Sequence, residues 1–357
     1  MRFVLGGGGT GGHIYPLVAI AEELRKGGHE VSFIGNRDSM ESRLIPKEGY
    51  PFLAINVQKL YRKLTLKHLN FPVLFSKSFF SCMSFLRRIK PDAVICTGGF
   101  VSGPIALAAI LLKRPLYFWD GNSYPGLTTR LLARYMKGIF VAFRDTERHL
   151  NAARTINTWI PLRSDFRTDS VWDAKKYGLS ESKQAIFVTG GSQGSKALNE
   201  AVDSAINGML EQGFELIWQT GKTQSEYYLN KYNGQKGVYI FGFSDELPAI
   251  MNYAWLAVTR AGAMTIAELQ GAKLPAILIP LPTAAENHQY YNALEQERKG
   301  VAKLLEQSKL TGESLLECIT SMRSSYSVYK EKLESIPLEN VAANITNYII
   351  KDISGKE

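Results

Sequence analysis

Cysteine is scarce in this 357-residue chain, with Cys82, Cys96 and Cys318 the only three. They stand far apart, with neither the close spacing of a metal site nor an even set for a disulfide framework. A zinc module and a stapled secreted domain are therefore excluded, and buried thiols in a reducing compartment are expected. Low-complexity sequence is missing too, and 45% hydrophobic with 21% charged residues is globular composition. The longest apolar run, Pro104 to Leu112, is about half of the ~20 residues that cross a bilayer, so any membrane contact is expected to be peripheral. No charged lead, apolar stretch and cleavage site precedes the strand-like Arg2-Phe3-Val4-Leu5, which points to a cytoplasmic protein. Acidic residues are the minority, 33 against 42 Lys and Arg. The resulting charge of +9 favours an anionic partner: nucleic acid, a phosphorylated substrate or an acidic membrane surface.

What the chain does have is alternation. Short β-branched or aromatic runs ending in glycine are followed by longer amphipathic stretches, the pattern of parallel βαβ units. It occurs twice, as 357 residues in two cores would require. In the first half Arg2 to Leu5, Glu30 to Ile34, Asp92 to Cys96 and Pro115 to Phe118 read as strands, and Ile14 to Lys26 as a helix. The second half restarts at Gln184 to Thr189 and continues with Glu215 to Gln219, Val238 to Phe241, Trp255 to Thr259 and Ala276 to Ile279. Between them Trp159-Ile160-Pro161-Leu162-Arg163-Ser164-Asp165 suits a linker. The expected domains are 1–163 and 164–338, with 339–357, including a terminal helix from Glu339 to Ile350, packing back on the first.

Glycine loops follow the strands. The first is Gly6-Gly7-Gly8-Gly9-Thr10-Gly11-Gly12-His13, where glycine lets a ligand approach the amides closely and the next helix offers free N–H groups. Its Gly7-x-Gly9-x-x-Gly12 spacing also fits a dinucleotide fingerprint. That reading requires a ribose-binding carboxylate after the second strand, where the chain has Ile34-Gly35-Asn36-Arg37. A second loop is Gly98-Gly99-Phe100-Val101-Ser102-Gly103-Pro104, and a third is Gly190-Gly191-Ser192-Gln193-Gly194, which lacks the lysine of a nucleotide-hydrolase loop. Loops at strand carboxyl ends define a binding rim, and two such sheets are expected to face a cleft. Nucleic acid is disfavoured, because the basic residues are scattered and glycine loops suit small anions.

In the second half, Arg260-Ala261-Gly262-Ala263-Met264-Thr265-Ile266-Ala267-Glu268 is another glycine turn opening a helix. The amides of Ala263, Met264 and Thr265 can face a diphosphate, and Glu268, about one turn on, can accept both vicinal hydroxyls of a ribose. The alternative for Glu268 is a capping or solvated carboxylate. The segment Glu286-Asn287-His288-Gln289-Tyr290-Tyr291-Asn292 brings amide side chains to the same rim.

Taken in order, Gly-Gly-Thr-Gly-Gly-His at 8–13, Gly-Gly-Phe-Val-Ser-Gly-Pro at 98–104, Gly-Gly-Ser-Gln-Gly at 190–194, the stretch 260–268, and Gln289 with Asn292 resemble the MurG family. The resemblance implies a GT-B glycosyltransferase of two Rossmann-like domains, acceptor in the first and donor in the second. It implies a hexosyltransferase that moves N-acetylglucosamine, with inversion, from UDP-N-acetylglucosamine to the 4-hydroxyl of the muramoyl sugar of lipid I, forming lipid II for peptidoglycan. No metal or cofactor is implied, helix dipoles and Arg163 supplying the charge stabilisation. By resemblance Ser192, Met264, Thr265 and Arg163 hold the diphosphate, with Ala263, Glu268 the ribose and Gln289 the sugar. Thr10, Gly11, Gly12 and Asn122 join the substrate set, and Gly98, Gly99, Ser102 and Gly103 the acceptor loop. His13 is the candidate base for the acceptor hydroxyl, with helix capping as its alternative, and Asp120 the second catalytic candidate. The chain departs from the family at Trp119-Asp120-Gly121-Asn122, where His-Glu-Gln-Asn is usual, and at Ile160-Pro161-Leu162-Arg163, where Asn-Pro-Val-Arg is common.

Phe71, Leu74, Phe75, Ser78, Phe79, Cys82, Phe85 and Leu86 recur at helical spacing, with Lys59, Arg62, Lys63, Lys67, Lys77, Arg87 and Arg88 around them. The stripe is either core or a surface for anionic lipid, and a lipid-linked acceptor suits the second, with the enzyme on the cytoplasmic face of the inner membrane. Two other functions fit the same residues: a transferase for another lipid such as diacylglycerol, and a sugar-nucleotide-binding protein without turnover.

Overall fold

The computed structural model describes residues 1–58, 70–122, 124–151, 154–167, 171–180, 184–284 and 287–355. The chain falls into two compact units, Met1–Ser164 with Asn340–Glu357, and Asp165–Glu339. The first contains strands β1 (Arg2–Gly6), β2 (Glu30–Asn36), β3 (Phe52–Ile55), β4 (Ala93–Thr97), β5 (Leu116–Asp120), β6 (Gly138–Val141) and β7 (Thr155–Asn157). Between them run helices α1 (Gly11–Lys26), α2 (Met40–Lys47), α3 (Phe71–Ile89), α4 (Ser102–Leu111) and α5 (Leu127–Leu132). The second contains β8 (Gln184–Thr189), β9 (Phe214–Gln219), β10 (Val238–Phe241), β11 (Leu256–Thr259), β12 (Ala276–Leu278) and β13 (Ala302–Leu304). Its helices are α6 (Lys196–Glu211), α7 (Ser225–Lys231), α8 (Leu247–Tyr253), α9 (Ala263–Gly271), α10 (His288–Lys299), α11 (Gly312–Ser324) and α12 (Tyr326–Glu334). A last helix, α13 (Val341–Ser354), belongs to the first unit.

Both sheets are parallel throughout, in the orders β3-β2-β1-β4-β5-β6-β7 and β10-β9-β8-β11-β12-β13. With helices on both faces the central strands have no solvent side, which is why β4, β5 and β9 are buried at every residue. In each sheet the order reverses at one place, between β1 and β4 and between β8 and β11. Right-handed crossovers then send the helices after those two strands to opposite faces, leaving a crevice at the strand carboxyl ends. The glycine loops fall at these two points.

Helix α13 packs on α1. Its Asp352 pairs with Lys137 at 3.1 Å and Arg154 at 3.5 Å and accepts a hydrogen bond from the Tyr117 hydroxyl. Burial opposes ionisation of Asp352, but the hydrogen bonds from Tyr117 and Lys137 and the two nearby cations hold its carboxyl below the usual carboxylate range.

Two expectations need correction. Helix α1 starts at Gly11 rather than Ile14, so Gly11 and Gly12 are its first turn and His13 sits inside the helix rather than at the tip of a loop. The amide of His13 already bonds the Thr10 carbonyl at 3.1 Å, which closes that first turn. Cys82 and Cys96 are buried, Cys82 with its thiol pushed up to about 12 by burial, but Cys318 is only half-buried on α11.

Candidate functional site

The first unit's site grows from the turn after β1. Thr10 caps α1 with extended backbone, yet its hydroxyl makes no bond to the helix amides and instead lies 2.9 Å from His13 Nδ1. Glycine at the next two positions brings no side chain either, so the Gly11 and Gly12 amides, which no helix carbonyl can reach, stay open at the positive end of the helix dipole, while the His13 amide is taken by Thr10. Burial lowers the basicity of His13, opposed by the charges of Asp120 and Glu41.

The second loop comes up beside it. A Cβ at Gly98 would stand 3.2 Å from Asp120 Oδ2 and 3.5 Å from His13 Nε2, so a glycine there lets carboxylate and imidazole converge. Gly99 approaches the other side of the same ring, its Cβ position 3.6 Å from Nδ1. Ser102 contributes differently from Gly98, Gly99 and Gly103. Its side chain is fully buried and its hydroxyl donates to the carbonyl of Thr97, so it locks the turn from inside and only backbone faces outward.

Asp120 is 1% exposed and its carboxylate is fully engaged. Oδ1 accepts from the amide and the side chain of Asn122, both at 3.1 Å; Oδ2 accepts from the Gly126 amide at 3.2 Å and the Thr129 hydroxyl at 2.8 Å. Four donors leave no lone pair for a substrate proton, so Asp120 organises the loop after β5 and faces His13 as a charge. Asn122 is thereby pinned, its carbonyl also accepting from Thr146 at 2.9 Å. Trp119, where the resemblance has histidine, is 1% exposed with its ring against Gly121, whose Cβ would come within 2.3 Å. The departure therefore places a core side chain, not a site group.

Beside His13 opens a cavity of about 540 Å³, within the range that takes small ligands. Gly8, Gly9, Thr10, His13 and Gly99 form its polar end, and Phe71, Phe75, Leu107, Leu127 and Leu131 its apolar walls. The stripe on α3 thus divides: Ser78, Cys82, Phe85 and Leu86 are buried in the unit and Phe71 and Phe75 line the cavity, while Val73 and Phe80, outside the stripe, are exposed. Lys77, Arg87 and Arg88 are exposed along the same helix, whereas Lys59, Arg62, Lys63 and Lys67 lie outside the described residues. Arg163 belongs to this unit, its guanidinium 4.8 Å from the Tyr15 ring centre.

In the second unit, helix α9 repeats the device of α1. Gly262 caps it with no side chain, and Ala263, Met264 and Thr265 form the first turn, with Glu268 half-buried about one turn on. Arg260 and Asn292 hold that turn from behind. The guanidinium of Arg260 donates to the carbonyls of Ile279 and Pro280 at 3.2 Å and to Ser195 Oγ and Gln307 Oε1 at 2.6 Å. Asn292, buried, donates to the Ala261 carbonyl at 3.2 Å. Gln289 accepts from the Leu281 amide at 3.0 Å, which fixes the orientation of its own NH₂ group. Ser192 is exposed on the third loop, but the helix after that loop is capped by Ser195, which accepts from Leu198 at 3.4 Å. Glu286 lies outside the described residues. Sequence reasoning missed Glu41, Thr129 and Thr97, the last of which donates its hydroxyl to the His13 carbonyl at 3.0 Å; their roles rest on contacts no motif records.

Among the described residues no cluster of His, Cys, Asp or Glu could hold a metal, and no helix is long and apolar enough to cross a membrane. Comparison with known proteins finds the glycosyltransferase family 28 amino-terminal domain over residues 3–141 and the glycosyltransferase family 28 carboxyl-terminal domain over 185–345. The chain is 33% identical to the UDP-N-acetylglucosamine--N-acetylmuramyl-(pentapeptide) pyrophosphoryl-undecaprenol N-acetylglucosamine transferase of Carboxydothermus hydrogenoformans, over 99% of the chain and 96% of that protein. The transferase of the same name from Halothermothrix orenii is 37% identical over 90% of each chain. Among solved structures, Acinetobacter baumannii MurG superposes with a TM-score of 0.74 and 28% identity, covering 98% of this chain and 99% of that one.

Proposed function

The chain belongs to the MurG family of GT-B glycosyltransferases, and from that premise we propose that it transfers N-acetylglucosamine from UDP-N-acetylglucosamine to the 4-hydroxyl of the muramoyl sugar of lipid I, forming lipid II. The observation that carries the reading is the imidazole of His13, set in the uncapped first turn of α1 at the polar end of an apolar cavity.

In this reaction His13 takes the proton of the acceptor hydroxyl through Nε2, with Nδ1–H donating to Thr10. The oxygen forms its bond to the anomeric carbon from the face opposite the leaving group, the bond from that carbon to the phosphate oxygen breaks, and the configuration inverts. The electron pair goes to the departing UDP, whose diphosphate is stabilised by the first-turn amides of α9, with Ser192. Glu268 accepts the ribose hydroxyls and the NH₂ of Gln289 meets the sugar. The imidazolium that forms faces the carboxylate of Asp120, and that is the one step in which Asp120 assists chemistry. The first unit takes the lipid acceptor and the second the nucleotide.

The acceptor's lipid places the enzyme peripherally on the cytoplasmic face of the inner membrane. Exposed Val73 and Phe80 with Lys77, Arg87 and Arg88 on α3 support that placement, apolar side chains for the acyl boundary and cations for anionic headgroups.

The test is purified protein with labelled UDP-N-acetylglucosamine and a lipid I analogue, then with diacylglycerol. Label in lipid II supports the proposal. Label in diacylglycerol alone, or nucleotide binding with no transfer, overturns it in favour of another lipid acceptor or a binding protein.

A further inference from the structure

Beneath the first glycine loop lies a carboxylate that belongs to none of the motifs. Glu41, in the first turn of α2, has no solvent exposure. Both of its oxygens take the Gly9 amide, at 3.3 and 3.2 Å, and Oε1 also takes the amide of Asn36 at 3.0 Å. The loop is shaped around it: a Cβ on Gly8, which has φ of 147°, would stand 2.0 Å from Oε1, and one on Gly35 would stand 2.6 Å from Glu41 Cγ. A glycine of the loop after β1 and a glycine of β2 thus make room for one buried anion. A carboxylate without exposure costs several kcal/mol to desolvate, which a purely structural contact could avoid by using a neutral side chain.

We propose that Glu41 is a positioning residue for the transfer reaction, holding the Gly8-Gly9-Thr10 turn by its amide and presenting a buried negative charge to His13. The inference rests on His13 as the base. Two charged groups face the imidazole, Asp120 from the end of β5 and Glu41 from α2; both favour its protonated form, while burial opposes it. Glu41 therefore raises the proton affinity that the base needs when it accepts the acceptor's proton, and it does so from below the loop, where no substrate reaches. Asp120 answers from the second loop. Two anions fixed by separate elements act on the base, so its charge in the transition state is met without a mobile counterion.

The experiment compares Glu41→Gln, which keeps an acceptor oxygen and removes the charge, with Glu41→Asp, which keeps the charge and withdraws it by one methylene. The His13 titration is followed by NMR of histidine-labelled full-length protein, the resonance assigned by its loss in His13→Asn. In Glu41→Gln the midpoint is expected to move to lower pH, with kcat down roughly 3- to 10-fold and both KM values within about 2-fold. In Glu41→Asp the midpoint stays near wild type, while exchange of the Gly9 amide speeds at least roughly 10-fold as its bonds lengthen. An unmoved midpoint in Glu41→Gln overturns the proposal, and so does unchanged Gly9 exchange in Glu41→Asp, which also decides the matter if the glutamine variant fails to fold. If the wild-type protein makes no lipid II, the proposed function fails, and the titration still reports on Glu41.

Discussion

Replacing Asp120 by asparagine exchanges one oxygen for an NH₂ group and removes one charge, at a side chain that accepts four hydrogen bonds. If the NH₂ takes the Oδ2 position, the Thr129 hydroxyl can rotate to accept from it, but the Gly126 amide can only donate and loses its partner. If it takes the Oδ1 position, the Asn122 amide is stranded in the same way. Either arrangement leaves one backbone N–H without a partner, at about 1–3 kcal/mol, and weakens the remaining bonds because they are no longer charge-assisted. We expect a net loss of about 2–3 kcal/mol from the first unit, which for a unit of this size lowers its thermal transition by about 4–12 °C. Calorimetry of the whole chain is the assay, reading the two units' transitions separately, since two-state behaviour does not extend across them. Transfer activity should fall roughly 10-fold through the lost support for the His13 imidazolium. If Asp120 were itself the base, the loss would be roughly 10²–10⁴-fold with the transition unmoved, and that result would refute the assignment of Asp120 as organiser.

Three further outcomes follow from the same geometry. Glu268→Ala should weaken UDP-N-acetylglucosamine binding roughly 10- to 100-fold by titration calorimetry, the cost of two charge-assisted hydrogen bonds to the ribose. Phe80→Asp with Val73→Asp, both at exposed positions on α3, should reduce sedimentation with anionic vesicles at least roughly 10-fold and leave UDP binding in solution unchanged; equal vesicle binding would remove α3 from the membrane face. Asp352→Asn should destabilise the first unit by about 1–2 kcal/mol at neutral pH. Because the folded carboxyl is held below its ordinary range, the stabilisation it gives is present above the unfolded value and is lost as pH falls through the folded one. The variant and wild type should therefore converge in chemical denaturation at acid pH, and a difference independent of pH would point to packing instead.

The central strands were legible in the sequence because both of their faces are buried, so β1, β4, β8 and β9 read as mostly apolar runs that end at or just before a glycine. The strands the sequence did not disclose, β3, β7 and β13, are sheet edges, and their three or four residues are mostly half-buried, which leaves neither a run nor an alternation to detect. β6 is fully buried but only four residues long, Gly-Ile-Phe-Val, too short to stand out from a loop. Helix α1 began earlier than its apolar periodicity suggested because glycine, a poor helix former, occupies its first turn, where the uncapped amides are wanted. The stripe on α3 could not be assigned as a whole because Phe71 and Phe75 at its start line the cavity while Cys82 and Phe85 further on are core, and the exposed apolar side chains Val73 and Phe80 lie off it. Glu41 was invisible for a related reason: an acidic residue in the first turn of a helix is the ordinary favourable choice for the dipole, and nothing local says that this one points into the protein.

The use of caps carries the last step of the argument. A helix amino terminus can be closed by a side chain, and in this chain Ser195 closes α6, Thr311 closes α11 and Asn340 closes α13. Several other helices begin without such a bond, and α1 and α9 are the two of them that open after β1 and β11, at the reversal of strand order: Thr10 turns its hydroxyl to His13, and Gly262 has none to offer. Forgoing a cap costs about 1 kcal/mol of helix stability, and the flanking contacts of Glu41 at one turn and of Arg260 and Asn292 at the other hold the backbone that the missing cap would have held. The amides are left for whatever anion or hydroxyl arrives. Restoring a cap should therefore compete with substrate: Gly262→Ser is expected to leave the second unit as stable or slightly more so while weakening UDP binding, and a variant that binds UDP as tightly as wild type would show that the α9 amides are not where the diphosphate is held.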